Sequence, residues 1–195
     1  MVRAIFMHGI AGSGKSELAH RLAKFIPRCC ILSKDGFRTI DGTYVFDRKN
    51  EGKVWTIFCW FLHKVLEGED NETIILDNTH LDEQCIDVLL QYVIRHYGEY
   101  VFITIPPDVS LLKHAQRNKH GVSFSEMIKQ DELYRISRVR MKLDFQLKNA
   151  IEVKNVALLT DEEVKQIIES MRFESGMFWP SFSFSYDFPS FSSVS

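Results

Sequence analysis

The sequence has no marked excess of charge of either sign, no cysteine pair at metal-finger or redox spacing, no apolar run long enough for a bilayer, and no internal repeat. Each absence closes a class of function. With 24 basic against 26 acidic residues and a formal charge of −2, the chain is not one that coats long nucleic acid by counterion release, although a local basic groove stays open to it. Cys29, Cys30, Cys59 and Cys85 lack CxxC or zinc-finger spacing and are expected to be reduced core thiols in a reducing compartment. The longest apolar stretch, Val54 to Leu66, contains His63 and Lys64 and is too short to span a membrane. No signal peptide is expected, because the first apolar run carries a glycine-rich loop directly behind it. A soluble cytoplasmic protein is the expectation.

What is present is the balance of a globular domain. Hydrophobic residues are 45% and charged ones 26% of 195, enough for one domain with a sizeable core. The stretch Gly9-Ile10-Ala11-Gly12-Ser13-Gly14-Lys15-Ser16 has the P-loop spacing. In such a loop the backbone N–H groups wrap phosphate oxygens, a lysine neutralises their charge and a serine hydroxyl faces Mg²⁺. The flanks agree: Val2 to Met7 reads as a buried strand, and Leu18, Leu22, Phe25 and Ile26 line one face of a helix opening at Lys15. The helix dipole then points at the anion, so nucleoside triphosphate binding, with Mg²⁺, is the reading.

Strands and helices alternate along the rest. Cys29–Ser33, Thr73–Asp77, Tyr100–Ile105 and Val156–Leu159 read as further strands, and "KDGF" (34–37) as a turn. Val54–Leu66 reads as a buried helix, and Ile86, Leu89, Leu90, Val93, Ile94 and Tyr97 as one face of another. Leu111, Leu112 and Ala115 mark a helix leading into the basic "QRNKHG" (116–121). Ser123 with Glu126, and Thr160 with Glu163, have capping-box spacing; the first opens a helix towards Lys142, the second one with Val164, Ile167, Ile168 and Met171 inward. The pattern predicts a three-layer α/β/α fold, a five-stranded mostly parallel sheet with a helical lid, over residues 1–172. Residues 173–195, rich in serine and aromatics, read as a tail. It is loosely ordered, or the alternation Phe182, Phe184, Tyr186, Phe188 makes it an edge strand or a docking segment for a partner or a second copy.

In a parallel sheet ligands gather at the carboxyl ends of the strands. There, Asp35 has the position to deprotonate an attacking hydroxyl, and Arg38, one turn further, to clamp a phosphate on the acceptor. Asp77 ends an apolar strand as a Walker-B acid does and, with Ser16, is the expected Mg²⁺ partner. Asn78 and Thr79 are candidates for the acceptor side. Arg117, with Lys119 and His120 before Gly121, would bring a cation to the triphosphate as the lid closes. Arg135, Arg138 and Arg140 are further candidates, and His8 reads as packing.

The succession "GIAGSGKS", "LSKDGFR", "IILDNTHLDE" and "IPPDVSLLKHAQRNKHG" resembles, in order and spacing, the 5′-hydroxyl kinase domain of the bacteriophage polynucleotide kinase family, over about residues 1–145. The resemblance implies transfer of the ATP γ-phosphate to a nucleic acid 5′-hydroxyl. By match, Lys15 and Ser16 hold phosphate and Mg²⁺, Asp35 is the general base and Arg38 meets the acceptor nucleotide's phosphate. Lys119 and His120 stand where the family's lid carries a second arginine after the one matched by Arg117, and a two-activity end-repair enzyme is not expected. A small-molecule kinase of the antibiotic- or toxin-type and an NTP-binding regulatory module are the alternatives, and Asp35 speaks against the second.

Overall fold

The structure is a computed structural model and describes residues 2–40, 43–68, 72–107, 111–118, 121–144 and 150–175. In chain order it runs β1 (Arg3–His8), α1 (Lys15–Phe25), β2 (Cys29–Leu32), α2 (Lys34–Phe37), the short hairpin β3 (Thr39–Ile40) and β4 (Thr43–Tyr44), then a 3₁₀ turn (Arg48–Asn50) and α3 (Glu51–Glu67). It continues with β5 (Thr73–Leu76), α4 (Glu83–Arg95), β6 (Glu99–Thr104), α5 (Leu111–Arg117), α6 (Phe124–Asp144), β7 (Ala150–Glu152), a 3₁₀ turn (Val156–Leu158), α7 (Asp161–Ser170) and β8 (Glu174–Ser175).

Five strands form a parallel sheet in the order β2-β5-β1-β6-β7, and β8 adds antiparallel pairing at the amino end of β6. This is the expected three-layer plan. Side chains along each strand alternate between two faces, and both faces are covered. Ala4, Phe6, Ile74, Leu76 and Phe102 pack under α3 and α4 against Phe58, Leu62, Ile86, Leu89 and Val93. Ile5, Met7, Ile75, Val101 and Ile103 pack under α1 and α7 against Leu18, Leu22 and Val164. Each such fully buried aliphatic or aromatic side chain contributes about 1.5–3 kcal/mol by leaving water.

Four local expectations are corrected. The fifth strand is Ala150–Glu152, not Val156–Leu159: Asn155 adopts a left-handed conformation (φ 52°) that turns the chain into a 3₁₀ turn. Val156 is apolar because it packs against Gly14, whereas Leu158 is 79% exposed. Tyr97 does not face the core, because α4 has already ended; it has φ 54°, and the Gly98 N–H turns back to the Val93 carbonyl at 2.8 Å. On α5 the deeply buried residue is His114 rather than Leu112, which is exposed. "KDGF" is one turn of helix, N-capped by the Ser33 side chain, which accepts from the Asp35 N–H at 3.2 Å. Phe182, Phe184, Tyr186 and Phe188 lie outside the described residues. Among those residues no helix is long and apolar enough to cross a membrane.

Candidate active site

The glycine loop follows β1 and is shaped by close backbone approach. A side chain at Gly12, where φ is +74°, would put its Cβ 2.4 Å from the His114 carbonyl oxygen, and one at Gly9 would reach 2.8 Å from that of Ile105. Neighbours then hold the loop by hydrogen bonds. The Gly9 N–H donates to the Thr79 carbonyl (3.1 Å), the Ala11 N–H to Gln130 Oε1 of α6 (2.8 Å), and His114 Nδ1–H of α5 to the Gly12 carbonyl (3.1 Å). Gly14 is the N-cap of α1 in a left-handed conformation with no capping side chain, so the helix amino terminus is left for an anion. The Ser13 hydroxyl is buried there and makes no hydrogen bond.

Lys15 is buried, and its ammonium donates to the Ile10 carbonyl at 2.6 Å. Burial lowers its pKa to about 8, against the opposing pull of Asp77 and then Asp35. Lys15, Asp77 and Asp35 are therefore electrostatic neighbours, as the strand order requires. The Asp77 carboxylate is buried and the Ser16 side chain exposed in the first turn of α1. A carboxylate and a hydroxyl suit Mg²⁺, which takes few protein oxygens beside substrate phosphates. No group of three or more His, Cys, Asp or Glu among the described residues offers a metal cage of its own.

The other flank is built from side-chain pairs. Asn78, in the loop after β5, accepts the Lys34 N–H at 3.0 Å and so ties α2 to the sheet edge beside Asp77. Arg38, with a side chain only 12% exposed, donates to Asp35 Oδ1 at 2.5 Å and, through Nε, to Glu51 Oε1 at 2.8 Å; its second terminal nitrogen pairs with Glu51 Oε2. It is thus a strut between α2 and the start of α3, and not a solvated surface charge. Glu51 had no signal in the sequence, since only the hairpin brings it back to Arg38.

Beneath the loop lie two buried histidines. Ser137 donates its hydroxyl to the Tyr134 carbonyl (3.1 Å) and so accepts His8 Nε2–H (2.9 Å), while His80 Nδ1–H donates to the Met7 carbonyl (2.5 Å). Burial first, with nearby positive charge, lowers the pKa of His8 to about 3 and of His80 to about 4, so both are neutral at pH 7. His8 also stacks on Tyr134 with ring centroids 4.7 Å apart, the packing role expected of it. Arg117 is exposed at the end of α5, one turn beyond His114. Arg135 pairs with Asp131 (2.9 Å) and Arg138 with Glu152. Lys119, His120 and the Arg140 side chain lie outside the described residues.

A family model described as an AAA domain matches residues 5–139. Human NEDD4-binding protein 2 is 31% identical over 136 residues, which are 67% of this chain and 7% of that protein, so the chain spans only a small part of that relative's length. A chain of the Pnkp1/Rnl/Hen1 RNA repair complex superposes with a TM-score of 0.58 at 14% identity, covering 71% of this chain and 46% of that one. Shikimate kinase from Acinetobacter baumannii, in complex with shikimate, superposes with a TM-score of 0.53 at 15% identity, covering 87% and 94%. At these identities the likeness to solved structures is one of fold, that of the P-loop kinases.

Proposed function

We propose that this chain, which belongs to the AAA domain family and has the fold of the P-loop kinases, transfers the γ-phosphate of ATP to the 5′-hydroxyl end of RNA or DNA. The observation that carries the reading is the meeting of two independent elements: the loop lysine and Asp35 are electrostatic neighbours, and Asp35 is fixed from behind by Arg38. Mere nucleotide binding has no use for a braced carboxylate there. In the reaction the acceptor oxygen bonds to the γ-phosphorus, the bond to the β,γ-bridging oxygen breaks, ADP leaves, and Asp35 takes the hydroxyl proton. The loop from Gly9 to Ser16 holds the triphosphate through backbone N–H groups other than those of Gly9, Ala11 and Ser13, which Thr79, Gln130 and Ile10 engage, and Lys15 offsets its charge. Mg²⁺, held by Ser16 and Asp77, would neutralise charge on the phosphates. Arg117, close behind the helix turn that holds Gly12, is the lid cation. Residues 1–172 are assigned to the kinase unit and 173–195 to the tail, whose first residues return to the sheet through Phe173 and β8; four free thiols suit a reducing, cytoplasmic setting.

The test is direct. Incubated with γ-labelled ATP and Mg²⁺, the protein labels 5′-hydroxyl oligonucleotides and leaves a panel of small alcohols unlabelled. Label only on small alcohols would overturn the nucleic acid reading.

One observation favours a second reading, a kinase for a small hydroxylated molecule. Arg38 is already engaged by Asp35 and Glu51, and an arginine that braces the base needs no acceptor phosphate. The same incubation decides between the two.

A further inference from the structure

We propose that the surface formed by residues 45–53 is a docking platform for single-stranded nucleic acid, on which Phe46 stacks a base beside the accepting end while Arg48, Lys49 and Lys53 meet the phosphates that follow. The proposal rests on the polynucleotide kinase reading and extends it to strandedness. The hairpin β3–β4 returns the chain to Arg38, where the Val45 N–H donates to the Arg38 carbonyl at 2.9 Å. Phe46 then lies over the Arg38 guanidinium, 5.4 Å from ring centroid to carbon, and is still 57% exposed. One ring face has its cation; an open aromatic surface is left over the residue that braces Asp35.

The charges of this segment are sorted in the same way. Asp47 is exposed but held by capping, its oxygens accepting from the Lys49 N–H and from Asn50 Nδ2, both at 2.9 Å. Glu51 is consumed by Arg38. Arg48, Lys49 and Lys53 are exposed against the single exposed carboxylate of Asp47, so the segment presents an aromatic ring and a net positive charge on a chain with a formal charge of −2. An aromatic face with adjoining cations is the arrangement that takes unpaired bases and the backbone between them. A base pair within a duplex offers no free face to such a ring.

Full-length protein is titrated with a fluorescent 5′-hydroxyl single strand and with a duplex in which the same 5′ end is recessed beneath a 3′ overhang, so that no base face is free there, and transfer to each is measured alongside. Wild type is expected to prefer the single strand. Phe46→Ala should weaken its binding about ten- to a hundredfold, with Phe46→Trp restoring it. R48A/K49A/K53A should flatten the salt dependence by about two units of logarithmic slope. ATP affinity and the melting temperature should stay at wild-type values, since none of these side chains is buried. If wild type labels oligonucleotides while all variants bind and turn over as wild type does, the platform is wrong and the kinase reading stands. Wild type that neither binds nor labels any oligonucleotide ends both. Equal use of duplex and single strand overturns the stacking role.

Discussion

Residues 9–16 and residues 34–40 with 43–51 form the two flanks of the proposed site, and both are tied to the loop after β5, through Thr79 and Asn78 respectively. Their construction differs. The first is shaped by backbone: glycines at positions where a Cβ would meet a carbonyl at 2.4 to 2.8 Å, and a lysine buried deeply enough to lose part of its affinity for a proton. The second is shaped by side chains, an Asp–Arg–Glu chain across a short helix and a hairpin, with aromatic and basic residues exposed outside it. A backbone cradle recognises what every triphosphate shares. A side-chain frame can be altered residue by residue, which is where acceptor choice is expected to reside.

Substitutions on the two flanks should therefore fail differently. Lys15→Ala is expected to abolish transfer, because phosphoryl transfer depends on electrostatic stabilisation that no other buried cation among the described residues supplies to the loop. Turnover at the wild-type level in a variant with native circular dichroism would remove the loop from the mechanism.

On the acceptor flank, Asp35→Asn keeps the shape of the side chain but not the basic oxygen. ATP affinity by calorimetry should hold, while single-turnover transfer falls by about 10²–10⁴. If both hold, Asp35 serves α2 and Arg38 only as structure.

The first flank was legible in the sequence because its signal is local: glycine spacing, an apolar strand before it and a helical periodicity after it all lie within residues 2–26. Asp35 and Asp77 were legible for a related reason, since parallel strands place their carboxyl ends on one edge. The brackets that hold the flanks were not. His114, Gln130, Ser137 and Glu51 reach the site from 13 to 129 residues away in sequence, and no periodicity marks a side chain whose partner is set by tertiary packing. Val156–Leu159 misled for the opposite reason: apolar residues there pack a turn against Gly14, and composition does not tell a buried turn from a strand.

Arg38→Ala tests which of its two tasks dominates. As a phosphate clamp its loss raises the acceptor KM, by about 1.5–3 kcal/mol for a charge-assisted hydrogen bond, with kcat little changed. As a strut for Asp35 its loss lowers kcat with KM unchanged. Because the guanidinium braces Asp35, a lowered kcat is expected, with a raised acceptor KM added to it for oligonucleotides and ATP binding intact in either case.

Lys15 also gives the nucleotide flank a pH signature. Its value in the free protein is depressed to about 8, and bound triphosphate raises it by opposing charge. Affinity is therefore complete below about pH 8 and is lost as pH rises beyond it, about tenfold per pH unit, until the value in the complex is reached. Calorimetry between pH 7 and 10 checks this, along with proton uptake on binding near pH 8. A flat profile would mean that Lys15 keeps its proton across this range without the nucleotide, against the depressed value.

The smallest effect expected is that of Gln130→Ala, and it asks whether the backbone cradle stands without help from the lid helices. Gln130 Oε1 accepts the Ala11 N–H from across 119 residues of sequence. Without it that part-buried N–H loses its protein partner, at about 0.5–1.5 kcal/mol. Glycine geometry and the Gly12–His114 bond persist, so the loop keeps its fold. ATP affinity should fall by up to about tenfold and amide exchange at Ala11 should quicken, while the acceptor KM stays unchanged, because α2 and the hairpin have no bond to Gln130 among those of the described residues. An effect on acceptor KM equal to that on ATP would show that α6 couples the flanks, and the division drawn between a backbone cradle and a side-chain frame would have to give way to a single lid-controlled site.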